Sequence, residues 1–194
     1  MGSTAEEVAE LVERVAPRPE IAALELNVSC PNVRTGLDIG ADPAELGRLV
    51  ETVRPITAKP LIVKLTPNTA DVALVAQAAE AAGADAVSLI NTLRAYAPDP
   101  KVPGVAWLGG GTGGQSGPAV RAVALAQVRA VAARVEIPIV GMGGIASGGH
   151  ARQFLEAGAT LVAVGTESFR DPLAGARIRA ELGEPAANSE VLSR

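Results

Sequence analysis

Cys30 is the only cysteine in this chain of 194 residues, and it sits in the run Glu25-Leu26-Asn27-Val28-Ser29-Cys30-Pro31-Asn32. Polar groups gather there at the end of an apolar stretch, where the active sites of α/β proteins lie. Asn27 stands inside the apolar run, and a buried amide needs partners. Two asparagines flanking a thiol at a proline-fixed turn suit a planar, amide-bearing ligand with a base beside it. The competing reading is a structural turn around an inert cysteine. A second candidate is Lys64, a cation within Leu61-Ile62-Val63-Lys64-Leu65-Thr66-Pro67. A lysine on a central strand is costly unless it faces an anion or a ligand, whereas on an edge strand it would only snorkel to water.

Glycines supply the third group. Ile139-Val140-Gly141-Met142-Gly143-Gly144-Ile145 and Val164-Gly165-Thr166 both read as strand ends that run into glycine. Such turns let backbone N–H groups and a helix N-terminus approach a phosphate, and two consecutive ones are the phosphate site of many barrels. Asn91-Thr92 and the Gly113-Gly114-Gln115-Ser116-Gly117 loop form a fourth group, as further ligand contacts or as simple turn chemistry. His150 reads as a surface histidine and Trp107 as a packing residue.

Composition excludes several classes. The chain is 48% hydrophobic and 20% charged, with a net charge of -4, which is the balance of a folded acidic domain. Lacking a basic cluster, and with only Tyr96, Trp107, Phe154 and Phe169 as aromatics, it is not built for nucleic acid. One cysteine and one histidine leave no thiolate or imidazole cluster for a metal. Charges interrupt every apolar run short of the ~20 residues that span a membrane. The acidic start, Met1-Gly2-Ser3-Thr4-Ala5-Glu6-Glu7, is unlike a signal peptide. These features predict a soluble, cytoplasmic protein.

The elements that must position these groups alternate. Strands are predicted at 21–28, 61–65, 86–90, 137–140 and 161–164. Helices are predicted from the Ser3 or Thr4 cap through Val15, over 43–53 behind Asp42, from Thr69 or Asp71 to Gly83, and over 119–135, 146–157 and 172–182. The stretch 91–117 breaks into proline and glycine. Lys59-Pro60-Leu61-Ile62-Val63 leads to Ala82-Gly83-Ala84-Asp85-Ala86-Val87, and Ile137-Pro138-Ile139-Val140 leads to Ala157-Gly158-Ala159-Thr160-Leu161-Val162. This echo of strand, helix, glycine stop and strand is a parallel sheet with crossover helices. Strand order separates a (β/α)8 TIM barrel from an open doubly wound sheet, and the glycine-rich strand ends favour the barrel.

Taken in order, Leu26-Asn27-Val28-Ser29-Cys30-Pro31-Asn32, Val63-Lys64-Leu65-Thr66-Pro67-Asn68, Ile90-Asn91-Thr92-Leu93, Gly113-Gly114-Gln115-Ser116-Gly117-Pro118, Gly141-Met142-Gly143-Gly144-Ile145 and Ala163-Val164-Gly165-Thr166 resemble dihydroorotate dehydrogenase. That family is the FMN flavoprotein of pyrimidine biosynthesis. The resemblance implies an oxidoreductase in which Cys30 takes a proton from C5 of dihydroorotate while the C6 hydride passes to flavin N5. Lys64 then matches the lysine facing the flavin, and Asn27 is shared between flavin and substrate. Asn32, Asn91 and Thr92 match substrate contacts, and Ile90 and Gly117 line the flavin. Gly143, Gly144, Gly165 and Thr166 match the FMN phosphate cradle.

A cysteine base and no membrane segment resemble the soluble class 1 type. Its electron acceptor is fumarate or NAD, the latter through an electron-transfer subunit with FAD and an iron–sulfur cluster. Arg94-Ala95 and Gln115 depart from the family's Met-Gly pair and leucine. By this resemblance residues 1–183 are a partial FMN-dependent barrel, units 4 to 8, and 184–194 a C-terminal tail. Exposed strand edges in such a part predict a homo-oligomer. Two other readings stay open: a related FMN enzyme such as a dihydropyrimidine dehydrogenase, and a non-catalytic remnant binding flavin or phosphate.

Overall fold

The computed structural model describes residues 4–28 and 39–183. Five of the apolar runs form one parallel sheet: β1 (Leu24–Asn27), β2 (Leu61–Lys64), β3 (Ala86–Leu89), β6 (Ile139–Met142) and β7 (Leu161–Ala163). Within 91–117, a stretch with no strand pattern in the sequence, β4 (Leu93–Ala95) and β5 (Gly113–Gln115) pair as an antiparallel hairpin. Neighbouring side chains lie close over the glycines of β5: a Cβ on Gly114 would stand 2.2 Å from Thr92 Oγ1, and one on Gly113 2.3 Å from the Cδ1 tip of Leu108.

The sheet order is β1-β2-β3-β6-β7, with no reversal. Right-handed crossovers between neighbours in that order place every connecting helix on the same face. A doubly wound sheet would reverse direction and cover both faces. The order is that of consecutive (β/α)8 barrel units, as predicted.

Alternation then divides the side chains. Leu24, Leu26, Leu61, Val63, Val87 and Leu89 are buried on the helix side. Glu25, Asn27, Lys64 and Ser88 stand on the opposite face, joined by the pairings Asn27↔Lys64 and Lys64↔Ser88. Each large aliphatic chain so buried contributes about 1.5–3 kcal/mol.

The helices are α1 (Ala5–Val15), α2 (Pro43–Val53), α3 (Val72–Ala81), α4 (Arg121–Ala132), α5 (Gly148–Glu156), α6 (Glu167–Arg170) and α7 (Ala174–Leu182). Asp42 caps α2 by accepting from the N–H groups of Ala44 (2.8 Å) and Glu45 (3.1 Å). Asp71 caps α3 by accepting from Ala73 (3.0 Å) and Leu74 (3.3 Å). Gly83 and Gly158, the two stops of the repeat, have φ of 97° and 109°, which only glycine adopts freely.

Several boundaries differ from expectation: the first strand starts three residues late, at Leu24, and α4 is shorter at both ends, Arg121–Ala132. The fourth sheet strand starts two residues late and takes in Gly141 and Met142. A Cβ on Gly141 would meet Phe154 Cδ1 at 2.8 Å, so this glycine serves close packing of α5 on the strand rather than a turn. The short helix α6 had no periodic signal to announce it. At the amino-terminal edge, Arg54 binds Asp85 (2.7 Å) and the carbonyl of Lys59 (2.9 Å), which closes the sheet away from the site.

Candidate active site

The carboxyl ends of the strands frame a cleft of about 420 Å³. Of the residues predicted from sequence, Lys64, Ile90, Asn91, Thr92, Gly117, Gly143, Gly144, Gly165 and Thr166 line it. Asn27 joins them through a hydrogen bond, with Asn91 Nδ2 donating to Asn27 Oδ1 at 3.0 Å. Cys30 and Asn32 lie outside the described residues. On either side of that stretch, the Gly40 N–H donates to the Val28 carbonyl at 3.1 Å, beside the end of β1.

Lys64 ends β2 and is half-buried. Its Nζ lies 3.7 Å from Glu25 Oε1, and Glu25 Oε2 accepts from Ser88 Oγ at 3.0 Å. The lysine therefore faces an anion across the polar side of the sheet. Glu25 is a site residue that sequence reasoning missed, although its i, i+2 spacing from Asn27 puts both on one face.

Asn91 is held from both directions. Its N–H donates to Leu65 O (3.1 Å), and its Oδ1 accepts from the Thr92 N–H (2.8 Å). Asn68, also missed as a site residue, donates to Thr92 O (3.0 Å) and accepts from the Arg94 N–H (2.8 Å). It ties the loop after β2 to the root of the hairpin. Ile90 follows β3 and donates from its N–H to Met142 O at 2.9 Å.

Across the cleft three loops meet. A Cβ on Gly144 (φ 72°) would lie 2.6 Å from Gly117 O, and one on Gly143 (φ 129°) would lie 2.8 Å from Ala124 Cβ. Gly117 in turn faces Thr166, whose Oγ1 donates to Ser116 Oγ at 2.9 Å. The backbone N–H groups of Gly144, Gly165 and Thr166 donate to no described residue. Unpaired amides converging on one concavity suit an anion, so the residues present fit a phosphate-bearing group. At the N-terminus of α5, His150 N–H donates to Ser147 Oγ (3.2 Å) and Gly148 N–H donates to Glu181 Oε2 (2.5 Å), whereas the Gly149 N–H donates to no described residue.

Two readings of single residues are corrected. His150 is not a surface histidine: it is half-buried and its Nδ1 lies 3.1 Å from Arg121 Nη1. Trp107 is not packed, being 59% exposed beyond the hairpin.

Behind the cleft, Arg177 binds Asp171 (2.9 Å) and Glu181 (2.9 Å), and its Nη1 also donates to Ala146 O (3.3 Å). The Arg177 guanidinium, then the Leu173 N–H, hold the Asp171 carboxyl below its ordinary range. The Gly148 N–H, then Arg177, do the same for Glu181, and the two carboxylates raise Arg177. Among the described residues no cluster of His, Cys, Asp and Glu could hold a metal ion, and no helix is long and apolar enough to cross a membrane.

A model of the dihydroorotate dehydrogenase family matches residues 1–185. The catalytic subunit of dihydroorotate dehydrogenase B (NAD(+)) from Geobacter metallireducens is 49% identical over 191 residues, covering 98% of this chain and 62% of its own length. The subunit of the same name from Pelobacter propionicus is 51% identical over 180 residues, covering 91% of this chain and 58% of its own. A crystal structure of DHODH from Eimeria tenella, in complex with ferulenol, superposes with a TM-score of 0.77 at 22% identity, over 94% of this chain and 54% of that one. The last of these speaks for the fold alone. The chain thus spans about three-fifths of the length of the curated relatives it matches. With the family model covering nearly all of the sequence and the ordered strand-end residues meeting in one cleft, the chain belongs to the dihydroorotate dehydrogenase family.

Proposed function

We propose that this chain carries the FMN site and the substrate site of a class 1 dihydroorotate dehydrogenase, which oxidises dihydroorotate to orotate in pyrimidine biosynthesis. One observation carries the reading: two loops with unpaired amides, after β6 and β7, face Lys64 and the Asn27–Asn91 amide pair across a single cleft. When bound, FMN supplies the acceptor for the hydride that leaves C6 of the substrate. Gly143, Gly144, Gly165 and Thr166 would hold its phosphate, with Ile90 and Gly117 against the flavin. Lys64 places a cation near charge that develops on reduction, and Glu25 fixes where that cation sits. Asn27, Asn32, Asn91 and Thr92 present amide and hydroxyl groups matched to the ring amides and carboxylate of the substrate.

Cys30 is assigned as the base that takes the C5 proton, a task that suits a thiol whose pKa lies near working pH. The relatives are named as NAD(+)-linked catalytic subunits, which supports NAD as the final acceptor and an electron-transfer subunit, carrying FAD and an iron–sulfur cluster, as the partner. Residues 1–183 belong to the barrel as its units 4 to 8, and association with further copies of the chain is part of the same reading.

The test is anaerobic mixing of the full-length protein with dihydroorotate. Purified protein is expected to carry bound FMN whose absorbance bleaches on mixing. Cys30→Ala keeps the flavin and loses the bleaching. Protein that binds no flavin, or a Cys30→Ala variant that bleaches normally, overturns the assignment.

A further inference from the structure

Behind the Gly143–Gly144 turn lies a cation with no part in the roles assigned so far. Arg121 is the first residue of α4 and is half-buried. Its Cβ lies 3.0 Å from where a Cβ on Gly144 would stand, so the cradle backbone passes directly over the base of this side chain. The guanidinium continues past the turn to His150, with Nη1 and Nδ1 3.1 Å apart. His150 Nδ1 also accepts the Ala146 N–H at 3.3 Å. The Nδ1 that takes the Ala146 N–H is the same ring nitrogen that faces the guanidinium.

The neighbouring guanidiniums are matched with carboxylates. Arg170 binds Glu167 at 2.8 Å, and Arg177 binds Asp171 and Glu181, both at 2.9 Å. Glu181, the carboxylate whose charge reaches His150, is held by Arg177 and the Gly148 N–H. Among the described residues no carboxylate lies within 4.0 Å of Arg121. Among the described residues its only polar partner is the imidazole of His150, so this half-buried cation has no carboxylate to compensate it. The adjacent cradle offers backbone amides and no charged side chain of its own. A phosphate monoester there, carrying close to two negative charges, would balance both deficits.

We propose that Arg121 sets the charge specificity of the phosphate site. From behind the turn, and held in place by His150, it selects a phosphorylated flavin over the same flavin without phosphate. The inference rests on the reading of the cleft as a flavin site. Amide dipoles contribute partial charges, whereas the guanidinium adds a full unit charge from the far side of the turn.

The experiment compares FMN with riboflavin, by quenching of flavin fluorescence, on the full-length apoprotein and its Arg121→Gln and Arg121→Lys variants. Arg121→Gln is expected to weaken FMN by about tenfold at low salt while riboflavin changes by less than about twofold. Arg121→Lys restores most of the FMN affinity, and added salt narrows the gap between wild type and Arg121→Gln. Riboflavin binding monitors folding within the same measurement. FMN affinity unchanged in Arg121→Gln, or equal weakening of both flavins, overturns the proposal and leaves the flavin site standing. Wild-type protein that binds neither flavin overturns the site itself and the inference with it.

Discussion

Asn91 and Asn27 are joined by a 3.0 Å side-chain hydrogen bond that bridges the ends of β1 and β3 over the intervening strand β2. In register, Asn27 stands beside Lys64. The bridge therefore fixes two amides immediately next to the cation at the end of β2. Asn91→Ala removes the donor of this bond and with it the link between the ends of β1 and β3. The expected outcome is a KM for dihydroorotate raised by about tenfold with flavin content unchanged, since one neutral hydrogen bond is worth roughly 0.5–1.5 kcal/mol. Steady-state kinetics with flavin quantified in each preparation checks it.

Lys64 and Glu25 make opposite predictions for one observable. A cation stabilises the reduced, anionic flavin, so Lys64→Met should move the flavin midpoint potential to more negative values. Glu25→Gln removes the carboxylate 3.7 Å from that cation and should move it to more positive values. Each shift is on the order of 30 mV, the two-electron equivalent of a tenfold change in equilibrium. Equilibrium titration against reference dyes would show both signs; shifts of the same sign would mean that the pair does not face the flavin.

Phe154 of α5 packs closely over Gly141 of the sheet. Phe154 is fully buried, and its truncation to alanine should cost about 3–5 kcal/mol. Gly141→Ala would press a methyl to 2.8 Å from Phe154 Cδ1 and 3.0 Å from Ala159 Cβ, an overpacking cost of about 1–3 kcal/mol. Combining Gly141→Ala with Phe154→Leu should cost less than the two alone, because the smaller side chain yields room. Urea denaturation of the four proteins measures the coupling.

Acid should loosen the wall behind the cleft. Asp171 and Glu181 titrate below their ordinary range in the folded chain, chiefly through Arg177 and the Gly148 N–H. Their contribution to folding is complete above the unfolded carboxyl values of about 3.9 and 4.3, and is lost as pH falls through the lowered folded values. Arg177→Met removes the partner that both share. The variant should show a shallower fall of Tm with pH below about pH 4 than wild type does. Parallel slopes would place the acid sensitivity elsewhere.

Much of this arrangement was legible in the chain because its signals are local. Asp42 and Asp71 announce their helices one residue ahead, and Gly83 and Gly158 announce stops that demand positive φ. Lys64 stood out because a charge interrupts an apolar strand. The signals that failed were non-local. Glycines that form β5 look like a loop until Thr92 and Leu108 are seen lying against them. His150 looks like a surface residue until α4 brings Arg121 to it from 29 positions away. Trp107 looks like core because of its size, and only the reach of the hairpin explains its exposure. Glu25 was hidden inside a motif where the thiol drew attention; alternation places it on the face of Asn27, and only the pairing of β1 with β2 brings it near Lys64.

The unreversed strand order has a consequence for how such a chain can change. Among the described residues every strand of the sheet is bonded only to the units directly before and after it. The frame alone therefore does not hold the chemical parts in mutual position; that falls to ties made above it, Asn27 to Asn91, Asn68 to the root of the hairpin, and Thr166 to Ser116. A change in one strand-end loop is felt by the neighbour it holds, and the cleft behaves as a single part although it is assembled from separate units.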